Sequence, residues 1–151
     1  MADPAFVHLC VHSEYSLVDG LVRIKPLVKA AATAGMPAVA VTDQGNLFAL
    51  VKFYKAARSA GVKPLIGVDA CIRDDADSGN PFRMVLLVQN NQGYRNLIRL
   101  VSRSYREGQH LGRPLLEREW LDQQSCSGLI ALSGGRLGDV GRSLLNGNRE
   151  E

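Results

Sequence analysis

Apolar residues recur along this chain with two different periods. Short, nearly continuous apolar runs occur at Phe6–Val11, Ala38–Thr42, Pro64–Ile72, Met84–Val88 and Leu129–Leu132. Their length is that of buried strands. Between them, apolar positions three and four residues apart predict helices. Lys25–Ala34 is the first, with Pro26 tolerated in its opening turn and Leu27, Ala30, Ala31 and Ala34 sharing a face. Asn46–Ala60 is the second, with Leu47, Leu50, Val51, Tyr54 and Ala57 inward. Asn91–Arg106 is the third, with Leu97, Ile98, Val101 and Tyr105 inward. Glu117–Gln123 and Gly138–Leu145 are shorter. Gly35 and Gly61 stand where a left-handed residue stops a helix. Arg73–Pro81 is polar and reads as an exposed loop, its cluster Asp74-Asp75-Ala76-Asp77 as solvated surface.

This alternation predicts an α/β fold built on a parallel sheet with right-handed crossovers. The helix-to-strand links Gly35-Met36-Pro37 and Gly61-Val62-Lys63 are as short as such units need. About five strands alternate with helices and no closing strand follows the last helix, which suggests the first part of a parallel (β/α) barrel. Unpaired edge strands at such an opening predict self-association of the chain.

With 151 residues, 46% hydrophobic and 22% charged, the chain has enough apolar material for one folded core. A net charge of +3 permits a nucleic-acid partner without arguing for one. No basic stretch followed by an apolar core opens the chain, and no apolar run approaches the ~18 residues of a membrane span. Three widely spaced cysteines, Cys10, Cys71 and Cys126, fit a reducing cytoplasmic setting.

The most specific chemistry lies in the first apolar run. His8, Cys10 and His12 alternate, so an extended backbone puts them on one face. Asp19 follows in the next loop and offers an oxygen. In parallel α/β folds such groups gather at the carboxyl ends of strands. The second strand ends in Thr42-Asp43-Gln44-Gly45-Asn46, the third carries Gly67-Val68-Asp69, and the fifth ends in Ser133-Gly134-Gly135-Arg136.

Seven segments in series carry a resemblance. They are Phe6-Val-His-Leu-Cys-Val-His-Ser, Tyr15-Ser-Leu-Val-Asp-Gly, Thr42-Asp-Gln-Gly-Asn-Leu, Val51-Lys-Phe-Tyr, Gly61-Val-Lys-Pro-Leu-Ile-Gly, Asn91-Gln-Gly-Tyr-Arg-Asn-Leu and Leu132-Ser-Gly-Gly-Arg-Leu-Gly-Asp. In this order they resemble the PHP (polymerase and histidinol phosphatase) family, in the form that opens the bacterial DNA polymerase III alpha subunit. The resemblance implies a distorted PHP-type barrel of which residues 1–151 are the amino-terminal portion. The rest of that domain and the polymerase modules would lie beyond it. It further implies a place in a DNA-directed DNA polymerase, a nucleotidyltransferase of the bacterial replisome, with the remainder of the alpha subunit, the proofreading exonuclease subunit and DNA as partners.

Metal-binding members of that family place His at the positions of Cys10, Gln44 and Arg83, Glu at that of Asp69, and Cys at that of Gly135. Only His12 and Asp19 match. These seven positions therefore read as a vestigial metal site, and no zinc, manganese or magnesium is expected. Arg83 puts a permanent positive charge where a cation would sit. Gln44 offers only a neutral amide, and Gly135 no side chain. Cys10 reads as a plain buried thiol, or else as a thiolate zinc ligand beside His12; His8 reads as a packing residue or one that supports the ligands, and His12 and Asp19 as a hydrogen-bonded loop anchor or else as working metal ligands.

Gly134-Gly135-Arg136-Leu137-Gly138 lacks the Lys-Ser/Thr of a phosphate loop and reads as a turn before a helix. Arg95, Arg99, Arg103 and Arg106 run along one side of a helix, as a solvated face or as groups facing phosphate. Trp120 is read at the edge of the core. Two functions compete. One is a non-catalytic structural and docking module of the replicase that holds the exonuclease subunit. The other is an active metal-dependent phosphoesterase or 3′–5′ exonuclease, which needs two or three ions. The ligand count favours the first, with no catalytic activity in this chain alone.

Overall fold

The computed structural model describes residues 6–74 and 80–147, in two compact units, 1–68 and 69–151. Most of the acidic cluster Asp74–Asp77 therefore lies outside the described residues.

The first unit holds helix α1 (Ile24–Thr33), strand β1 (Ala38–Val41), helix α2 (Leu50–Ser59) and the first part of strand β2 (Lys63–Ile72). β1 and β2 are parallel, from Ala38 opposite Lys63 to Val41 opposite Ile66, with α2 as the crossover. Both helices stop as glycine dictates. Met36 N donates to Ala31 O and Gly35 N to Ala32 O; Val62 N donates to Ala57 O and Gly61 N to Arg58 O. With Gly35 at φ 67° and Gly61 at φ 72°, these are paired Schellman closures. The core between the helices and the strands is Ile24, Val28, Ala31, Val39, Val41, Phe53, Ala57 and Val62.

Three expectations are corrected in this unit. Ala30 and Ala34 of α1, and Val51 and Tyr54 of α2, are exposed; Ile24, Val28 and Phe53 supply the buried stripe instead. α2 begins at Leu50 rather than Asn46, because the Asn46 side chain holds the preceding turn, its Oδ1 accepting from Phe48 N. Phe6–Val11 forms no ladder strand. It runs beside β1 through two bonds, Ala40 N to His8 O and Thr42 N to Val11 O, while Val11 N donates to Thr42 Oγ1. The acceptors are one residue further apart than the donors, so a regular register fails as it does at a bulge.

The second unit contains the end of β2, strand β3 (Phe82–Val88), helix α3 (Asn91–Arg106), strands β4 (Gln109–His110) and β5 (Arg113–Leu116), strand β6 (Leu129–Ser133) and helix α4 (Asp139–Leu145). Single 3₁₀ turns occupy Arg118–Trp120 and Gly135–Leu137, the first replacing the helix expected over Glu117–Gln123. α3 is capped by Asn90, whose Oδ1 accepts from Gln92 N and Gly93 N, a cap worth about 1 kcal/mol. Its buried face is Gly93, Asn96, Leu97, Leu100 and Ser104; Ile98 and Tyr105, expected inward, lie at its margin, 38% and 41% exposed.

The sheet is mixed, not parallel. Its order is β4-β5-β2-β3-β6, with β1 on β2 in addition. β5 runs parallel to β2, Cys71 opposite Leu115, but β6 is antiparallel to β3, Met84 opposite Ser133 and Val88 opposite Leu129. β4 and β5 were not expected. They form a tight hairpin through Leu111 (φ 48°) and Gly112 (φ 76°), both left-handed as a type I′ turn requires. No helix among the described residues is long and apolar enough to cross a membrane.

Candidate functional site

In the first unit Cys10 and His12 come together, although not on a strand. The Cys10 sulfur and a ring nitrogen of His12 lie within 4.8 Å of each other. Cys10 is exposed, so the expectation of a buried thiol is corrected. His8 packs edge-on against Phe6, ring centroids 4.7 Å apart. Asp19 Oδ1 lies 2.9 Å from His12 Nδ1. With the proton on Nδ1 the imidazole donates to the carboxylate, which fixes the ring and leaves the lone pair on Nε2. Asp19 thus orients His12.

The loop carrying Asp19 is fastened to the end of β1 by buried polar groups that the sequence reading passed over. Ser13 N donates to Asp43 Oδ1 at 2.6 Å and Ser13 Oγ to Asp43 Oδ2 at 2.7 Å. Gln44 N donates to Ser16 Oγ at 2.9 Å, and Asn46 Nδ2 donates to Tyr15 O and Gln44 O. Ser13, Ser16 and Asp43 are all within 1% of full burial. Gly20 closes the loop, since a β-carbon there would collide with the Ser13 carbonyl. The signal was the pattern of small hydroxyl residues opposite Asp and Asn at a strand end, groups that bond backbone N–H. At its outer side Glu14 binds Lys52 at 2.8 Å. That bond holds the Glu14 carboxyl below the usual carboxylate range and the Lys52 ammonium above its own.

In the second unit, Asp69 on β2 and Arg83 on the neighbouring β3 are a forked ion pair. Arg83 Nη2 donates to Asp69 Oδ2 at 2.5 Å and Nε to Oδ1 at 3.1 Å. Asp69 is 5% exposed. Both carboxylate oxygens are therefore engaged by a fixed cation, the arrangement guanidinium geometry favours. Gly134 lies against Arg83, whose carbonyl a β-carbon at 134 would strike. Gly135, at φ 56°, opens the 3₁₀ turn ahead of α4, so this glycine-rich segment is a turn.

Arg95, Arg99 and Arg106 occupy exposed positions on α3. Arg103 is bonded to Glu107 at 2.7 Å and its guanidinium sits 4.1 Å from the Trp120 ring centroid. Trp120 is half-buried beneath it.

A multi-ion hydrolytic centre needs several anionic or imidazole donors converging on an ion. At the positions where the resemblance implies His, Glu, His and Cys, the chain has a neutral amide at Gln44, a carboxylate at Asp69 held by the guanidinium of Arg83, and no side chain at Gly135.

Comparison with known proteins agrees with the resemblance. The chain is 51% identical over 148 residues to the DNA polymerase III subunit alpha of Escherichia coli K12, covering 98% of this chain and 13% of that protein. It is 52% identical over 143 residues to the same subunit of Pseudomonas aeruginosa, covering 95% of this chain and 12% of that one. The chain thus spans about an eighth of these relatives, 13% and 12% of their lengths. An amidohydrolase from Chromobacterium violaceum, solved with bound sulfate and no metal, shares the fold: TM-score 0.52 at 20% identity, over 68% of this chain and 34% of that one. Residues 8–151 match the PHP domain family, and the chain belongs to it.

Proposed function

We propose that this chain works as a degenerate, metal-free PHP domain in DNA replication, a structural and docking module of a DNA polymerase III alpha subunit. On this reading it is the amino-terminal portion of a distorted PHP barrel. It is continued by the rest of the subunit, acts in the cytoplasm, and helps to hold the proofreading exonuclease subunit. Reach to DNA comes through the full-length polymerase. The identity to alpha subunits over nearly the whole chain supports the setting.

The Arg83–Asp69 pair is the observation that carries the metal-free part. An ion at Asp69 would have to displace a guanidinium already bonded to both oxygens. Elemental analysis of the chain, purified without chelator, is the test. The expected result is no stoichiometric zinc or manganese. One or more tightly held ions per chain would overturn the reading and return the phosphoesterase alternative. The docking part is tested by titrating the exonuclease subunit with the chain; absence of binding would overturn it.

A further inference from the structure

The two helices of the first unit leave an open groove between them, of about 720 Å³. Its floor is small and mostly apolar: Val28 and Ala32 from α1, Ala56 from α2 and Ala60 just past its end, with Thr33 and Ser59 beside them. Its rim is cationic: Lys25 and Lys29, one turn apart on α1, and Lys52 and Lys55, one turn apart on α2. Neither helix carries an acidic residue. Lys52 is tied to Glu14, whereas no ion pair among the described residues engages Lys25, Lys29 or Lys55.

We propose that the α1–α2 groove docks an acidic amphipathic helix of a partner protein. This names the partner chemistry for the docking role above and rests on that role for its setting. Two packed helices present a groove into which the side-chain ridge of a third can settle. Alanines on the floor let its backbone come close. An apolar stripe on the incoming helix covers the floor, and carboxylates on its two flanks meet the lysine rims, as in other helix-in-groove complexes. A nucleic-acid backbone would use the lysines but gain nothing from an apolar floor.

The test uses the full chain and a fluorescent helical peptide with a leucine stripe and glutamates on both flanks. Saturable binding that weakens with salt is expected. The double variant Lys29→Glu, Lys55→Glu should weaken it by about tenfold or more. Ala32→Trp, at an exposed position, fills the groove without altering charge and should weaken it comparably. Lys29→Gln with Lys55→Gln gives the milder form should charge reversal harm folding, and Lys63→Glu, outside the groove, should leave binding unchanged. The proposal is overturned by no binding, by equal binding of a peptide with lysine flanks, or by indifference to Ala32→Trp. It is also overturned if the groove variants abolish oligothymidylate binding or self-association rather than peptide binding. The exonuclease subunit is titrated in parallel. If it binds while the peptide does not, the groove falls and the docking role stands; if the peptide binds while it does not, the groove stands and that partner falls.

Discussion

Asp43 illustrates how much a single buried side chain organises. Its carboxylate takes the backbone N–H and the hydroxyl of Ser13, thirty positions earlier, in a place 1% exposed. Asp43→Ala strands two donors, each costing roughly 1–3 kcal/mol when buried without a partner. We expect a loss of about 3 kcal/mol in denaturant unfolding, with the His12–Asp19 contact loosened because its loop loses its fastening. Wild-type stability in that variant would show the network to be incidental. Arg83→Met removes the charge and both guanidinium bonds from Asp69. A cost of about 2–4 kcal/mol in the same assay is expected, since one partner of a buried pair is lost. The chemistry at both places was only partly legible beforehand. Arg83 stood out because its charge is wrong for a ligand position. Its bond to Asp69 depends on β2 and β3 being neighbours, which neither residue announces. Asp43 and Ser13 are ordinary residue types, and only folding brings them together.

Among the elements, the helix ends were the easiest to read and the strand directions the hardest. Gly35 and Gly61 stop their helices as expected because a left-handed residue is cheap only for glycine. Gly61→Ala should therefore cost about 1 kcal/mol, seen as a lowered thermal midpoint with unchanged core packing. A neutral outcome would mean that the closure relaxes to another turn. Inward faces were read in part: Ala31, Ala57 and Leu97 are buried as expected, while Val28, Phe53 and Leu100 take places given to their neighbours, since alanine and tyrosine suit either side of a helix and do not fix its rotation. Strand alternation gave length without direction: Leu129–Ser133 reads the same run parallel or antiparallel. The β4–β5 hairpin escaped notice because its turn is Leu-Gly rather than Asn-Gly and Pro114 interrupts the strand. Between elements, the Glu14–Lys52 bond makes a pH-dependent contribution. Glu14 titrates lower in the folded chain, so its share is present above the ordinary glutamate range and disappears as pH falls through the depressed value. Lys52 titrates higher, so its share is present below the ordinary lysine range and disappears as pH rises through the raised value. Lys52→Met should flatten both limbs of the stability profile; an unchanged profile would deny the bond any weight in solution.

For the molecule as a whole, the family was readable because its segments are spread over nearly the full chain, whereas the sheet was not. A mixed sheet of this order arises from pairings between distant runs, and local patterning says little about them. The Arg83–Asp69 pair has one more consequence, for the history open to this chain. Turning position 83 into an imidazole, as a metal site of the family would have it, first strips a buried carboxylate of its counter-charge. Turning position 69 into a longer acid first disturbs the fork that holds the arginine. Each single step lowers stability before any ion gains a usable set of donors. The pair therefore sets a threshold: any single substitution toward a metal ligand at either position must first give up a buried charge-assisted bond.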